Sequence, residues 1–431
     1  MTEDGSHPSP RYITGIGLLA LPQPPAGGIP ATPVTYLRNV WIELENGAVR
    51  RIGPEGEPSP GNCKPYECFD AANRLVTPGL VEAHTHPAFM QSRQHEFYLR
   101  CQGKSYLEIA AGGGGILASV RGVRGASSAD LTQLVRKRFT RFLELGVTTV
   151  EAKSGYGLSL KDELKSLAAI RDGASGLLEV SPTLLAAHTV PPEFKTNPDH
   201  YVDLVCKEII PAAAENRLAE ATDIFVEESA FTIAQARRVF EAGKRYGLGL
   251  RVHADQFSSS GGASLAAEFG AWSADHLDCT RDEEIAKLAA SGVTAVLLPG
   301  AVFFLGLNKF APARRFIELG CKVALSTDYN PGTSPTQSLP FMMTLGCNQL
   351  KMSPPEALWA VTMGAASALK RERRVGSLLP GYQADLCLWD APDIEYLPYS
   401  YGDSIPEAVF KMGRIAALNG KLRSDYVMPS V

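Results

Sequence analysis

The sequence has no C-x-x-C pair among its eight cysteines, which stand at positions 63, 68, 101, 206, 279, 321, 347 and 387. That scatter excludes a zinc ribbon or a dithiol redox centre. Reduced thiols are expected throughout, at Cys63 and Cys68 as well, although these two are closest. No uninterrupted apolar run approaches the roughly 20 residues of a membrane-spanning helix. The opening Met-Thr-Glu-Asp-Gly-Ser-His has neither the basic nor the apolar segment of a secretory leader, so a cytoplasmic protein without membrane contact is expected. Positive charge is not in excess: 42 Lys and Arg face 46 Asp and Glu, a formal net charge of −4, which argues against nucleic-acid or anionic-membrane partners. The densest basic run, Arg136-Lys137-Arg138 with Arg141, falls in an amphipathic pattern and reads as the solvated face of a helix.

Several catalytic signatures are also missing. There is no G-x-S-x-G elbow and no H-E-x-x-H helix, so serine-hydrolase and zincin chemistry are excluded. The run Gly112–Gly115 lacks the Gly-Lys-[Ser/Thr] ending of a phosphate cradle and has no strand directly before it. A mobile loop near a site is the better reading. No internal repeat or low-complexity tract is visible.

What is present suits a soluble globular enzyme: 431 residues, 45% hydrophobic and 20% charged. Up to about residue 77 the chain reads as β-structure, with strand-like segments at Ile13–Leu21, Tyr36–Leu44 and Val49–Ile52. From there short apolar strands alternate with helical periods. Eight strands are expected: Leu80–His84, Thr148–Lys153, Ser181–Ala187, Asp223–Glu227, Gly249–Ala254, Trp272–Leu277, Val293–Pro299 and Lys322–Asp328. Ser127 or Ser128 with Asp130, and later Thr232, mark helix starts, and Pro354–Leu369 forms a closing helix. Eight βα units in series predict an α/β fold, a parallel (β/α)8 barrel over residues 78–374. Strand-and-turn composition returns after that, so residues 1–77 and 375–431 are expected to pair into one small β-sandwich-like domain.

The stretch Pro78-Gly-Leu-Val-Glu-Ala-His84-Thr85-His86-Pro87 carries the strongest chemical signal. Residues i and i+2 of a strand share a face, so His84 and His86 project together. In a barrel of this kind sites form at the C-terminal ends of the strands. His188 follows the third strand, His253 and His276 lie near the ends of the fifth and sixth, and Asp328 ends the eighth. Five of the eight histidines thus fall where they can meet at one mouth, which points to a metal centre.

This arrangement resembles the amidohydrolase superfamily. Within it the chain is similar to the imidazolonepropionase family, through Ser92-Arg93-x-x-Glu96-Phe97, Tyr106-x-Glu108-Ile109 with Gly112 to Ile116, Glu151-Ala-Lys-Ser-Gly-Tyr156-Gly-Leu, Ala187-His188, His253-x-x-Gln256, Ser273-Ala-Asp-His276-Leu, Leu297-Leu-Pro-Gly-Ala and Asp328-x-Asn330-Pro-Gly332. The resemblance implies one metal ion, zinc or iron, held by His84, His86, His253 and Asp328. Lys153, the one lysine that could invite a bridging role, reads as structural or loop-forming. The implied reaction is hydrolysis of the cyclic amide of 4-imidazolone-5-propanoate, a small-molecule substrate, to N-formimidoyl-L-glutamate in histidine degradation. A homodimer is implied as well.

Asp328 is then expected to take a proton from water and relay it to the leaving nitrogen. His276 is expected to orient the nucleophile or stabilise the oxyanion, the alternatives being a fifth ligand or a hydrogen-bonder to the ligands. Arg93 matches the family position that pairs with the substrate's propionate, a task suited to a guanidinium fork. Tyr156, His188, Asn330, Gly332 and Thr333 match further substrate-contacting positions. Gln256 stands where some relatives carry glutamate; an amide cannot act as a base, so it is assigned hydrogen bonding to substrate. The competing reading is a deaminase of the same fold acting on a nucleobase or related heterocycle.

Overall fold

The computed structural model describes residues 10–54, 64–104, 108–109 and 112–429. Cys63 and Tyr106, singled out above, lie outside them. Among the described residues two eight-stranded sheets organise the chain. The first draws on both termini: β1 (Tyr12–Pro22), β2 (Val34–Glu45), β3 (Ala48–Pro54) and β4 (Cys68–Pro78) join β13 (Leu386–Trp389), β14 (Ala408–Lys411), β15 (Arg414–Leu418) and β16 (Lys421–Leu422). The order is β16-β15-β14-β13-β4-β1-β2-β3, antiparallel except for the β1/β4 pair. Its inward-facing Ile13, Leu19, Ile42, Val76, Leu386 and Phe410 form a core of their own.

The second sheet is the expected barrel. Its strands are β5 (Leu80–Glu82), β6 (Val147–Lys153), β7 (Glu179–Ala187), β8 (Ala221–Val226), β9 (Gly249–Ala254), β10 (Ser273–His276), β11 (Thr294–Leu297) and β12 (Lys322–Leu325), all parallel and in chain order. Each falls on one of the eight predicted segments. At the seam between β12 and β5, side chains finish what the backbone ladder begins. The Glu82 carboxylate accepts hydrogen bonds from Thr327 N and Thr327 Oγ1, Ser326 Oγ accepts from Ala83 N, and His86 N donates to Tyr329 O.

Helix starts follow the predicted caps. The Ser127 hydroxyl accepts from Asp130 N, and Thr232 forms a reciprocal box with Gln235. The closing helix runs as predicted, except that Ala360–Gly364 widens into a π-turn. Expectations failed at two positions. Cys68 is disulfide-bonded rather than a reduced thiol, because thiol scatter along a chain does not decide which sulfurs meet in space; the six other described cysteines are free. Arg138 does not belong to a solvated face. It donates to Pro87 O at 2.7 Å and stacks on Phe89 at 3.5 Å, tying its helix to the loop after β5.

Candidate active site

Alternation along the barrel strands places Glu151 and Lys153 of β6, Asp223 and Phe225 of β8, Arg251 and His253 of β9, and Ser273 and Asp275 of β10 on the inner side. Above this layer the loops at the C-terminal strand ends enclose a cavity of about 600 Å³. Its lining includes His86, Arg93, Tyr156, His188, His253, Gln256, His276, Asp328, Asn330 and Thr333, so most of the site residues expected from sequence meet there. His84 lies just beneath, fully buried.

Four donor atoms converge at the cavity floor. His84 Nε2 is 3.2 Å from His86 Nε2, and His253 Nε2 is 3.4 Å from His86 Nε2. Asp328 Oδ1 is 3.5 Å from His84 Nε2 and 3.4 Å from His86 Nε2. Separations of this size suit donors that share one ion with bonds of about 2.1 Å. Protonation supports the same conclusion. His84 Nδ1 donates to Asp275 Oδ2 at 2.6 Å and His253 Nδ1 to Asp223 Oδ1 at 3.1 Å, since an ionised carboxylate can only accept. Both Nε2 atoms therefore present lone pairs to one another's neighbours, an arrangement a cation relieves. Burial holds His84 and His86 well below their ordinary pKa, which keeps them neutral as ligands must be. His84, His86 and Asp328 form one group of possible metal donors and His84, His253 and His276 a second that shares His84, a donor set suited to a divalent metal ion.

His276 ends β10 with φ +76°, a left-handed turn that swings its ring back over the cradle. Its centroid lies 5.6 Å from that of His84 and 5.4 Å from that of His253. Burial brings its pKa down to about 3, against the pull of Asp328, so the ring is neutral, and one of its nitrogens lies among the possible metal donors with His84 and His253.

Tyr156 sits on a loop shaped around one buried carboxylate. Glu163 accepts from Gly155 N at 3.0 Å, Gly157 N at 2.8 Å and Leu158 N at 2.7 Å. His188 Nδ1 bonds Gly155 O at 3.0 Å, and its ring stacks on His86 with centroids 5.1 Å apart. Gly155 has φ +109°, where an added Cβ would also crowd His188.

Arg93 pairs with Glu96 at 2.6 Å, and the other oxygen of Glu96 accepts from Gly115 N. Opposite lies Gly332, where a Cβ would come within 2.4 Å of Arg93 Nη1; the missing side chain makes room for the guanidinium. Asn330 is occupied within its own loop: its amide donates to Asp328 O and Thr333 Oγ1, and its oxygen accepts from Gly332 N and Thr333 N. The loop carrying Gln256 is pinned from below by Glu227, which accepts from Phe257 N and Ser258 N.

Sequence reasoning missed Asp223, Glu163 and Glu227, and treated Asp275 only as part of a motif. An acidic residue in an apolar strand is the signal that would have found Asp223 and Asp275. It also missed the apolar wall of Ile116, Phe225, Phe257, Leu305 and Leu307, and the cations Arg100 and Lys104.

A family model described as "Amidohydrolase family" matches residues 75–417. The chain is 46% identical over 388 residues to an imidazolonepropionase of Geobacillus sp. (strain WCH70), covering 89% of this chain and 91% of that protein. It is 42% identical over 400 residues to the imidazolonepropionase of Alkaliphilus metalliredigens, covering 92% and 95%. Among solved structures it resembles a 5-methylcytosine deaminase from Klebsiella pneumoniae (TM-score 0.73, 17% identity, 95% and 97% covered). It also resembles an adenosine deaminase from Xanthomonas campestris with bound zinc (TM-score 0.68, 18% identity, 97% and 95% covered), and both likenesses concern the fold alone. A metal cradle at the mouth of a (β/α)8 barrel, joined to identity of this extent along nearly the whole chain, places the protein in the imidazolonepropionase family of amidohydrolases.

Proposed function

We infer that the protein hydrolyses the cyclic amide of 4-imidazolone-5-propanoate to N-formimidoyl-L-glutamate, a step of histidine degradation. The observation that carries this is the convergence of three imidazole nitrogens and Asp328 Oδ1 at the floor of a cavity that Arg93 also lines. His84, His86, His253 and Asp328 would hold one ion, zinc or iron, both of which suit this donor set. When bound, such an ion lowers the pKa of water to about 7 and polarises a carbonyl.

The remaining work falls to the chain. Asp328, its pKa raised by burial, takes the proton of the attacking water and passes it to the ring nitrogen as the amide carbon–nitrogen bond breaks. The hydroxyl ends on the carbonyl carbon as a carboxylic acid, which gives up its proton to the basic formamidine group of the opened chain, so the product holds a carboxylate and a formamidinium and both atoms and charge balance. His276, neutral, donates a hydrogen bond to the developing oxyanion. Arg93 receives the propionate, with Tyr156 and His188 lining the same cavity and Gln256 and Thr333 offering hydrogen bonds. Asn330 and Gly332 act through loop shape: one holds the turn after Asp328, the other leaves space for Arg93.

We further propose a homodimer, which the family resemblance implies, a cytoplasmic location, and division into a barrel over 78–374 with a second domain of 1–77 and 375–431. Among the described residues no helix is long and apolar enough to cross a membrane. The test of function is a coupled assay in which urocanate and urocanase generate the imidazolone in situ. Accelerated, metal-dependent loss of its ultraviolet absorbance, with formiminoglutamate detected by mass spectrometry, is expected. No acceleration by metal-loaded protein would bring the heterocycle deaminase to the front.

A further inference from the structure

The inner layer of the barrel beneath the cradle is charged. Glu151, Lys153, Asp223, Arg251 and Asp275 all have fully buried side chains. Lys153 Nζ lies 2.9 Å from Glu151 Oε1, 3.0 Å from Asp223 Oδ2 and 3.7 Å from Asp275 Oδ2. The opposite oxygen of Asp223 meets His253 Nδ1, and the same Oδ2 of Asp275 meets His84 Nδ1. One ammonium therefore stands between the two carboxylates that hold two ligand imidazoles.

We propose that Lys153 is a positioning residue for the metal cradle, fixing through Asp223 and Asp275 which nitrogen of His253 and of His84 faces the ion. Three carboxylates with two cations leave one negative charge in this layer, and Asp328 adds a second, matching a divalent ion. Fold stability alone does not call for such a cluster, because well-packed apolar side chains often replace a whole buried ion cluster at no loss, although removing one partner alone leaves a buried charge uncompensated. Without the ammonium, Asp223 and Asp275 repel each other, and each carries its imidazole out of line. Ligand orientation by such partners governs metal affinity by about 10–100-fold.

The inference rests on the cradle being a metal site, and the experiment separates the two. Cobalt(II) is titrated into metal-free wild type, Lys153→Met, Lys153→Gln and Lys153→Arg, reading the visible spectrum, affinity against a competing chelator, and melting with and without cobalt. In the Met and Gln variants we expect a 10–100-fold loss of cobalt affinity and an altered spectrum in protein that still folds. Lys153→Arg, which keeps the charge, should lie nearer wild type. Asp223→Asn should shift the spectrum in the same way, and adding Lys153→Met to it should cost little more. A Lys153→Met protein that melts earlier yet binds cobalt within twofold of wild type, with an unchanged spectrum, overturns the proposal. So does loss of folding in all three variants, since the lysine would then hold the barrel rather than the ligands. Failure of wild type itself to bind cobalt would instead overturn the metal-site reading.

Discussion

His84 Nδ1 lies 2.6 Å from Asp275 Oδ2, across 191 residues of sequence, with both side chains fully buried. The contact fixes the imidazole's tautomer and aims its other nitrogen at the cradle. Asp275→Asn should therefore weaken metal binding by about 10–100-fold while the fold survives. Chelator competition measures it; an affinity within twofold of wild type would show that the carboxylate does not orient the ligand.

Removing the metal should lower stability as well as abolish activity. An ion present at about 1,000 times its Kd stabilises the folded state by about 4 kcal/mol. Melting before and after dialysis against a chelator checks this, and zinc or iron should restore the melting temperature. His86→Ala, which removes one of the converging nitrogens, should lack the metal-dependent shift.

Arg93 should act on binding rather than on the metal. Arg93→Ala is expected to raise KM tenfold to a hundredfold, as loss of roughly 1.5–3 kcal/mol from a charged hydrogen bond implies, with metal content unchanged. Gly332→Ala should give the same phenotype, because its Cβ would lie 2.4 Å from Arg93 Nη1. Steady-state kinetics with elemental analysis decides both.

Glu163 holds the Tyr156 loop through three backbone N–H groups. Glu163→Gln replaces an acceptor oxygen by an NH2 that faces donors, at a cost of about 1–3 kcal/mol. A rise in KM is expected, together with reduced protease resistance of residues 154–158. An unchanged KM in folded protein would mean that Tyr156 does not need this loop geometry.

Acid should unfold the metal-free protein earlier than carboxylates alone would. Burial holds His84, His86 and His188 well below 6.5 in the folded state, and His276 at about 3. Below pH 6.5 the unfolded chain takes up protons that the folded chain refuses. Stability is full above that pH and falls as pH drops towards the folded values, by about 1.4 kcal/mol per pH unit for each such histidine. Denaturant titrations between pH 7 and 5 check the slope. His188→Gln should reduce it.

The barrel was legible in the sequence because eight short apolar segments alternate with capped helical periods, a pattern local chemistry enforces. Ser127 and Thr232 announced their helices by the side-chain oxygens they offer to the third residue on. His84 and His86 were legible together because a strand's period of two puts them on one side. Local chemistry did not show that β4 runs parallel to β1, or that Arg138 turns inward to Phe89, since both depend on partners distant along the chain.

The sequence by itself determined the order of elements, the family motifs and the residue types able to bind a metal. It also placed Asn330 and Gly332 beside Asp328, where loop geometry follows from neighbours in the chain. Only the tertiary structure decided what each of those residues faces. Asp223 stands behind His253 because the adjacent parallel strands β8 and β9 set them side by side, whereas Asp275 reaches His84 across the barrel interior, from a strand that does not pair with β5. Lys153 is buried between them because barrel closure turns its side of β6 inward. Which lone pair meets an ion is a property of such cross-strand contacts, which join residues from 30 to 191 positions apart and which no local pattern encodes.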